Sequence, residues 1–262
     1  TLIHLNITEI LIITTPEDQK LFKNLLGDGS DYGIKLSYAI QEQPRGLAES
    51  MIIGEDFIGN DSVALILGDN IFYGSDLTNS SEFKDITHLS QGASILAYHV
   101  EDPQRYGVVD FDDNDVALNL EEKPKHPKSN WAVTGLYFYD NNATKYAKTL
   151  KPSNRGEIEI TDLNKIYLEK NQLTVKRLQR GFTWLDTGTP NSLLEAAHFV
   201  QTIQHRQGLK IACIEEICYR KNLINSRQLE KLASKYKSNN EYGKYLLKIL
   251  NDSGACHLKQ KK

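Results

Sequence analysis

Three short apolar runs stand at residues 9–15, 35–41 and 63–67, with a helix-length amphipathic stretch between each pair. That order of strand, helix, strand, helix, strand constrains the fold strongly. Parallel neighbours need a long crossover, and a helix covering the sheet face is the usual one. The expectation is an α/β protein with a mixed, mostly parallel central sheet, helices on its faces and further helices at the C-terminal end. Such sheets take ligands at the carboxyl ends of their strands. The third run, VALILGDNIFYG (63–74), reads as a buried strand that stops on Gly68-Asp69-Asn70, placing an acid at that end.

Local signals support this order. Pro16-Glu17-Asp18 opens a helix, with proline in the first turn and acids near the positive end of the dipole, and it stops near Gly27-Asp28-Gly29. Residues 46–57 read as a second helix and 93–100 as a strand. Runs at 106–112, 116–122 and 131–140, joined by short turns, predict an antiparallel or mixed extension of the sheet. Helices are expected at 142–150, at 161–169 with Glu159 or Thr161 as cap, and at 189–206 with Pro190 at its start. Residues 173–185 read mostly as strand, ending at Trp184-Leu185-Asp186. After Lys210 the spacing of Leu229, Leu232, Leu246, Leu247 and Leu250 is helical, so 1–210 is read as one α/β domain and 211–262 as its C-terminal helical part.

Composition narrows the function. A net charge of −3 over 262 residues gives no general attraction to nucleic acid or anionic membrane. No apolar run is long enough to span a bilayer, and no signal-peptide pattern opens the chain. Cys213, Cys218 and Cys256 are odd in number and lack metal-ligand spacing, which points to reduced thiols and a cytoplasmic location. The chain opens on Thr1 with a helix end running straight into a strand, so a truncated N-terminus is expected.

Two strands end on an aspartate, Asp69 and Asp186. Each alone reads equally as a turn residue. Together, in one sheet and running the same way, they would converge, and paired carboxylates suit Mg²⁺ that also takes phosphate oxygens. Lys123 at a strand end and Arg155 in a loop can hold a phosphate, with surface charge as the alternative for each. Glu121 can accept from sugar hydroxyls, Gln41 can pair with a base edge, and Gly46 in the loop after Pro44 lets backbone approach a flat ring. No nucleophile with a matching base is present, which suits chemistry by positioning and charge neutralisation.

These residues sit in motifs: Gln41 to Gly46-Leu47-Ala48, LGDNIFYG (67–74), DPQRYGVV (102–109), LEEKP (120–124), VTGLYFY (133–139), RGEIEITD (155–162) and WLDTG (184–188). Their order and spacing resemble the glucose-1-phosphate thymidylyltransferases, sugar nucleotidyltransferases that make dTDP-glucose for the dTDP-rhamnose pathway. The likeness runs to about Lys248. It implies a Rossmann-like nucleotidyltransferase fold, dTTP and glucose 1-phosphate as substrates, a dTDP-sugar as product or inhibitor, Mg²⁺ as cofactor and a homotetramer. It assigns Asp69 and Asp186 to magnesium, and Gln41, Pro44 and Gly46, with Asp69, to the nucleotide. Tyr106, Gly107, Glu121, Val133 and Tyr137 go to the sugar, and Lys123 and Arg155 to its phosphate. Asp69, Lys123 and Asp186 are the expected catalytic set. Another base or sugar, or a non-catalytic sugar-nucleotide-binding fragment, are the alternatives.

The family also has a first strand and a Gly-rich loop with an arginine and a lysine, which do not occur here. Losing one preorganised donor costs on the order of 10²–10³ in rate. The chain alone is therefore expected to be inactive and poorly stable, and the full-length gene product active.

Overall fold

The computed structural model describes residues 1–74, 89–114 and 116–259, with side chains to residue 252. The backbone divides into two units. One comprises Thr1–Ile12, Glu17–Tyr38 and Val200–Lys262, so the N-terminal segment gathers with the C-terminal helices; the other comprises Ile13–Pro16 and Ala39–Phe199. The candidate site lies wholly in the second.

Helix α1 (Gln19–Leu26) follows strand β1 (Glu9–Thr14) and precedes β2 (Lys35–Ile40); the two strands pair with each other and lie mostly in the first unit. The core joins Ile3, Ile34 and Leu36 to Leu229, Leu232, Leu246 and Ile249 from the last helices. Cys213 and Cys218 are buried free thiols, and Cys256 falls outside the described side chains.

The second unit is built on β8 (Trp131–Tyr139), whose residues after Trp131 are all buried. A strand covered on both faces reads as a continuous apolar run, as WAVTGLYFY does. One edge of β8 carries β5 (Ala93–His99), with Ile95 opposite Tyr137 and Ala97 opposite Val133. The other edge carries two strands end to end. β6 (Gly107–Phe111) meets it at Ala132, and β3 (Val63–Ile66) meets it from Leu136 to Tyr139. β7 (Ala117–Glu122) extends the sheet beyond β6, and β9 (Leu173–Arg177) extends it beyond β5. Between the end of β3 and the start of β6, the backbone of Val133–Gly135 is left for other partners.

The sheet is mixed, as expected, but "mostly parallel" holds only for direction. β3, β5, β6 and β9 run one way, and β7 and β8 the other. Among these neighbours only β5 and β9 pair in parallel, because β8 inserts between strands that share a direction. Helices α2 (Glu49–Ile53), α4 (Ala143–Ala147) and α5 (Ile160–Glu169) supply Met51, Ala143, Leu163 and Tyr167 to its core. Asp140 closes β8, accepting from the Gly92 N–H at 2.8 Å and the Tyr167 hydroxyl at 2.7 Å.

Three local expectations change. The 46–57 helix breaks at Gly54 into α2 and α3 (Glu55–Ile58). The 173–185 strand breaks after Arg177 at a turn where Gly181 has φ 98°, and its second half, β10 (Thr183–Asp186), pairs instead with β4 (Asn70–Tyr73). β1 and β3 are half-exposed rather than buried; β3 has β8 as its one strand partner among the described residues. Helices α6 (Pro190–Gln207), α7 (Ile214–Arg220), α8 (Ser226–Ser234) and α9 (Glu241–Lys259) complete the chain as expected. The tail after Lys259 and the polar segment at 75–88 lie outside the described residues.

Candidate functional site

The gap on the edge of β8 opens into a cavity of about 190 Å³. Val133, Gly135 and Tyr137 of β8 line it, together with Tyr106, Gly107, Glu122, Lys123 and the two aspartates. This is below the roughly 300–1,000 Å³ of common ligand pockets and leaves room for a group the size of one sugar ring.

Asp69 and Asp186 reach it by a route the sequence did not suggest. They do not end two parallel strands of one sheet. The chain leaves β3 through Leu67-Gly68-Asp69 and continues as β4, which pairs antiparallel with β10. That register sets Asp186 opposite Asn70, one residue from Asp69. The Thr187 N–H and hydroxyl both donate to the Asp69 carbonyl, at 3.0 and 2.8 Å. A Cβ on Gly188 would stand 3.1 Å from Asp186 Oδ1 and 3.4 Å from Asp69 Oδ2, so the two carboxylates face one small space that only glycine leaves open.

Asn70 fixes one side of that space. Its Oδ1 accepts from the Trp184 indole at 2.6 Å and from the Gly135 N–H at 3.0 Å. Two donors on one oxygen settle the amide orientation, so Nδ2 is the group that donates to Asp69 Oδ1 at 2.8 Å. A Cβ on Gly135 would lie 2.5 Å from Asn70 Oδ1, so position 135 has room for glycine alone. Arg105 holds the other side, with Nη2 3.2 Å from Asp186 Oδ2 and Nη1 3.0 Å from Asp102 Oδ2. The hydrogen bond to Asp102 raises the Arg105 pKa above its ordinary value. Burial pushes the Tyr106 hydroxyl up to about 12 and the Tyr137 hydroxyl higher still, so both stay neutral donors.

Glu122 organises the opposite rim. It accepts from the Thr161 hydroxyl at 2.5 Å, and its other oxygen lies 3.8 Å from Arg155 and 4.0 Å from Lys123. Glu122 thus stands near both cations, while Arg155 is held more closely by Glu157 at 2.6 Å and Glu159 at 3.3 Å. Lys123 sits at φ 44°, a conformation that disfavours a side chain by about 1–3 kcal/mol. Its N–H donates to the Tyr106 carbonyl at 3.0 Å.

A model of the nucleotidyl transferase family matches residues 1–203. A glucose-1-phosphate thymidylyltransferase of Neisseria meningitidis is 57% identical over 244 residues, covering 93% of this chain and 84% of the relative. One of Mycolicibacterium smegmatis is 54% identical, covering 96% and 86%. The chain belongs to the glucose-1-phosphate thymidylyltransferase family of nucleotidyl transferases. A crystal structure of a Bacillus anthracis protein described as a glucose-1-phosphate thymidylyltransferase, in complex with sucrose, matches with TM-score 0.68 and 40% identity, over 76% of this chain and 78% of that one. A UDP-glucose pyrophosphorylase at 22% identity and TM-score 0.65 shares the fold.

In this nucleotidyl transferase the cavity brings together Asp69, Tyr106, Gly107, Lys123, Val133, Tyr137 and Asp186. Glu121 does not join them. Side chains alternate along β7, and it is Glu122 that lines the cavity while Glu121 is exposed. Arg155 reaches the site only through Glu122, Glu157 and Glu159. Gln41, Pro44 and Gly46 stand outside the lining; Leu47 enters it. Gln41 donates to Glu49 at 2.7 Å and to the Gly46 carbonyl at 3.2 Å. Gly46, at φ 107°, presses on the Ile158 backbone, where a Cβ would lie 2.4 Å from the carbonyl oxygen. Asn70, Arg105, Glu122, Thr161 and Trp184 went unrecognised in the sequence. Trp184 carried a signal, since residues two apart on a strand share a face and it precedes Asp186 by two.

The space bounded by Asp69 Oδ2, Asp186 Oδ1 and Gly188 fits a small divalent cation. It offers hard oxygen donors and room that a single methyl group would fill. Among the described residues no group of three or more His, Cys, Asp or Glu could hold a metal ion.

Proposed function

We propose that the protein transfers a thymidylyl group from dTTP to glucose 1-phosphate, giving dTDP-glucose and pyrophosphate. The observation that carries this reading is the meeting of Asp69 and Asp186 beside a sugar-sized cavity lined by Glu122 and Lys123, with Arg155 behind Glu122. A phosphate oxygen of glucose 1-phosphate forms a bond to the α-phosphorus. The bond from that phosphorus to the αβ bridging oxygen breaks in line, and pyrophosphate leaves with the electron pair. Lys123 and Arg155 face the sugar phosphate. Glu122, Tyr106, Gly107, Val133 and Tyr137 receive the sugar, with Glu122 taking the acceptor role first read at Glu121. Asp69 and Asp186 would hold Mg²⁺, which when bound neutralises charge on the nucleotide phosphates. Gln41, Pro44 and Gly46 belong to the nucleotide side, where movement of their loop from its Glu49 and Ile158 contacts admits the base.

The same reading proposes a cytoplasmic homotetramer responsive to dTDP-sugars. No helix among the described residues is long and apolar enough to cross a membrane. The test is pyrophosphate release by the full-length gene product with dTTP or UTP and glucose 1-phosphate. Preference for dTTP and loss in D69N are expected. Equal or faster release with UTP overturns the assignment of the base, and release unchanged in D69N overturns the site.

A further inference from the structure

Arg105 is shared between two acids that differ in position. Asp186 turns Oδ1 to the cation space beside Gly188 and Oδ2 to Arg105 Nη2, while Arg105 Nη1 meets Asp102. The shorter contact, 3.0 Å, is to Asp102, and the longer, 3.2 Å, is to Asp186. The guanidinium also sits over the Tyr106 ring, 5.2 Å from its centre. It can therefore leave Asp186 and keep both its other contacts. Asp186 is the more enclosed acid, with its side chain 16% exposed against 44% for Asp102. Its Oδ1 accepts from the Gly188 N–H at 3.0 Å, and Arg105 is the charged partner of Oδ2.

From this geometry we infer that Arg105 is a built-in counter-cation for the metal site. It neutralises Asp186 from the Oδ2 side while no divalent ion is bound, opposes by its charge an ion entering on the Oδ1 side, and shifts its pairing towards Asp102 when the ion arrives. This inference rests on the proposed function in that it takes the Asp69–Asp186 space as the cation site. Its consequence is that the site is kept weak for free divalent ions. Tight occupancy then requires the ion to arrive with nucleotide phosphates, whose charge outweighs the guanidinium. Arg105 is a positioning residue in this account.

Two substitutions move the affinity in opposite directions. R105Q removes the competitor, and D102N removes its alternative seat and leaves it on Asp186. The experiment is a titration of the full-length protein with Mn²⁺, read by the electron paramagnetic resonance signal of the free ion and without nucleotide. Wild type, R105Q, R105K, D102N and D69N are compared. An exposed to half-buried ion pair is worth up to a factor of about five. R105Q should bind Mn²⁺ about fivefold more tightly than wild type, R105K close to wild type, and D102N more weakly. A general loss of structure would weaken binding in every variant, so tightening in R105Q separates competition from damage. Unchanged or weaker binding in R105Q overturns the inference and leaves the proposed function standing. Binding that D69N does not reduce, or no binding in wild type and R105Q alike, overturns the inference together with the metal site on which it rests.

Discussion

Trp184 donates its indole N–H to Asn70 Oδ1 at 2.6 Å, and the same oxygen accepts from the Gly135 backbone at 3.0 Å. This one amide ties β10 to the open stretch of β8 and leaves its N–H₂ to Asp69. N70A should strand both half-buried donors. Each unmade bond costs about 1–3 kcal/mol, so thermal melting of N70A should fall by several degrees. N70D keeps the acceptor oxygen and loses the donor to Asp69. It should melt closer to wild type and still bind Mn²⁺ differently. Equal melting of N70A and wild type would remove Asn70 from the account.

G188A addresses the cation space itself. Its added methyl would lie 3.1 Å from Asp186 Oδ1 and 3.4 Å from Asp69 Oδ2. The methyl excludes an ion that needs oxygen at about 2.0–2.1 Å on all sides. Mn²⁺ affinity should drop at least tenfold while melting shifts little. Retained affinity would place the cation elsewhere.

Much of this was legible in the sequence because burial and turn chemistry are local. The run WAVTGLYFY announces a strand covered on both faces, and Glu159 does stand at the N-cap of α5. What was not legible depended on pairing across long separations. Nothing in residues 173–185 alone says that the second half leaves the sheet for β4. The Asp69–Asp186 meeting was foreseen, but for a parallel sheet. Antiparallel register with a one-residue offset produces it instead. Glu121 and Glu122 are chemically identical, and only the phase of β7 against the cavity separates them. The sequence also gave no sign that β8 carries β3 and β6 on one edge, the arrangement that opens the cavity.

The two glutamates make a paired prediction. Glu122 accepts from Thr161 and lies near Lys123 and Arg155, whereas Glu121 is exposed. Hydrogen bonds to a charged group contribute about 1.5–3 kcal/mol. E122Q in the full-length gene product should therefore lower kcat/KM for glucose 1-phosphate by roughly 10- to 100-fold. E121Q should stay within about twofold. The reverse ranking would return the sugar contact to Glu121.

Asp140 gives a pH signature for the fold. Burial alone would raise its pKa, but hydrogen bonds from Gly92, Tyr167 and Asn142 outweigh it and hold the carboxyl below its ordinary value. A carboxyl depressed in the folded state stabilises fully above the ordinary carboxylate pKa of about 3.9, and that contribution disappears as pH falls through the depressed value. The melting difference between wild type and D140N should be largest near pH 7 and narrow as pH falls below about 4. A gap independent of pH would contradict the ionised state of Asp140.

The most direct measurement of the transfer gives the full-length gene product glucose 1-phosphate with dTTP labelled either at the α- or at the γ-phosphorus. The α-label is expected in dTDP-glucose and the γ-label in pyrophosphate, in equal amounts, both lost in D69N and D186N. Label from the γ-position on the sugar, or transfer that survives both substitutions, would contradict it.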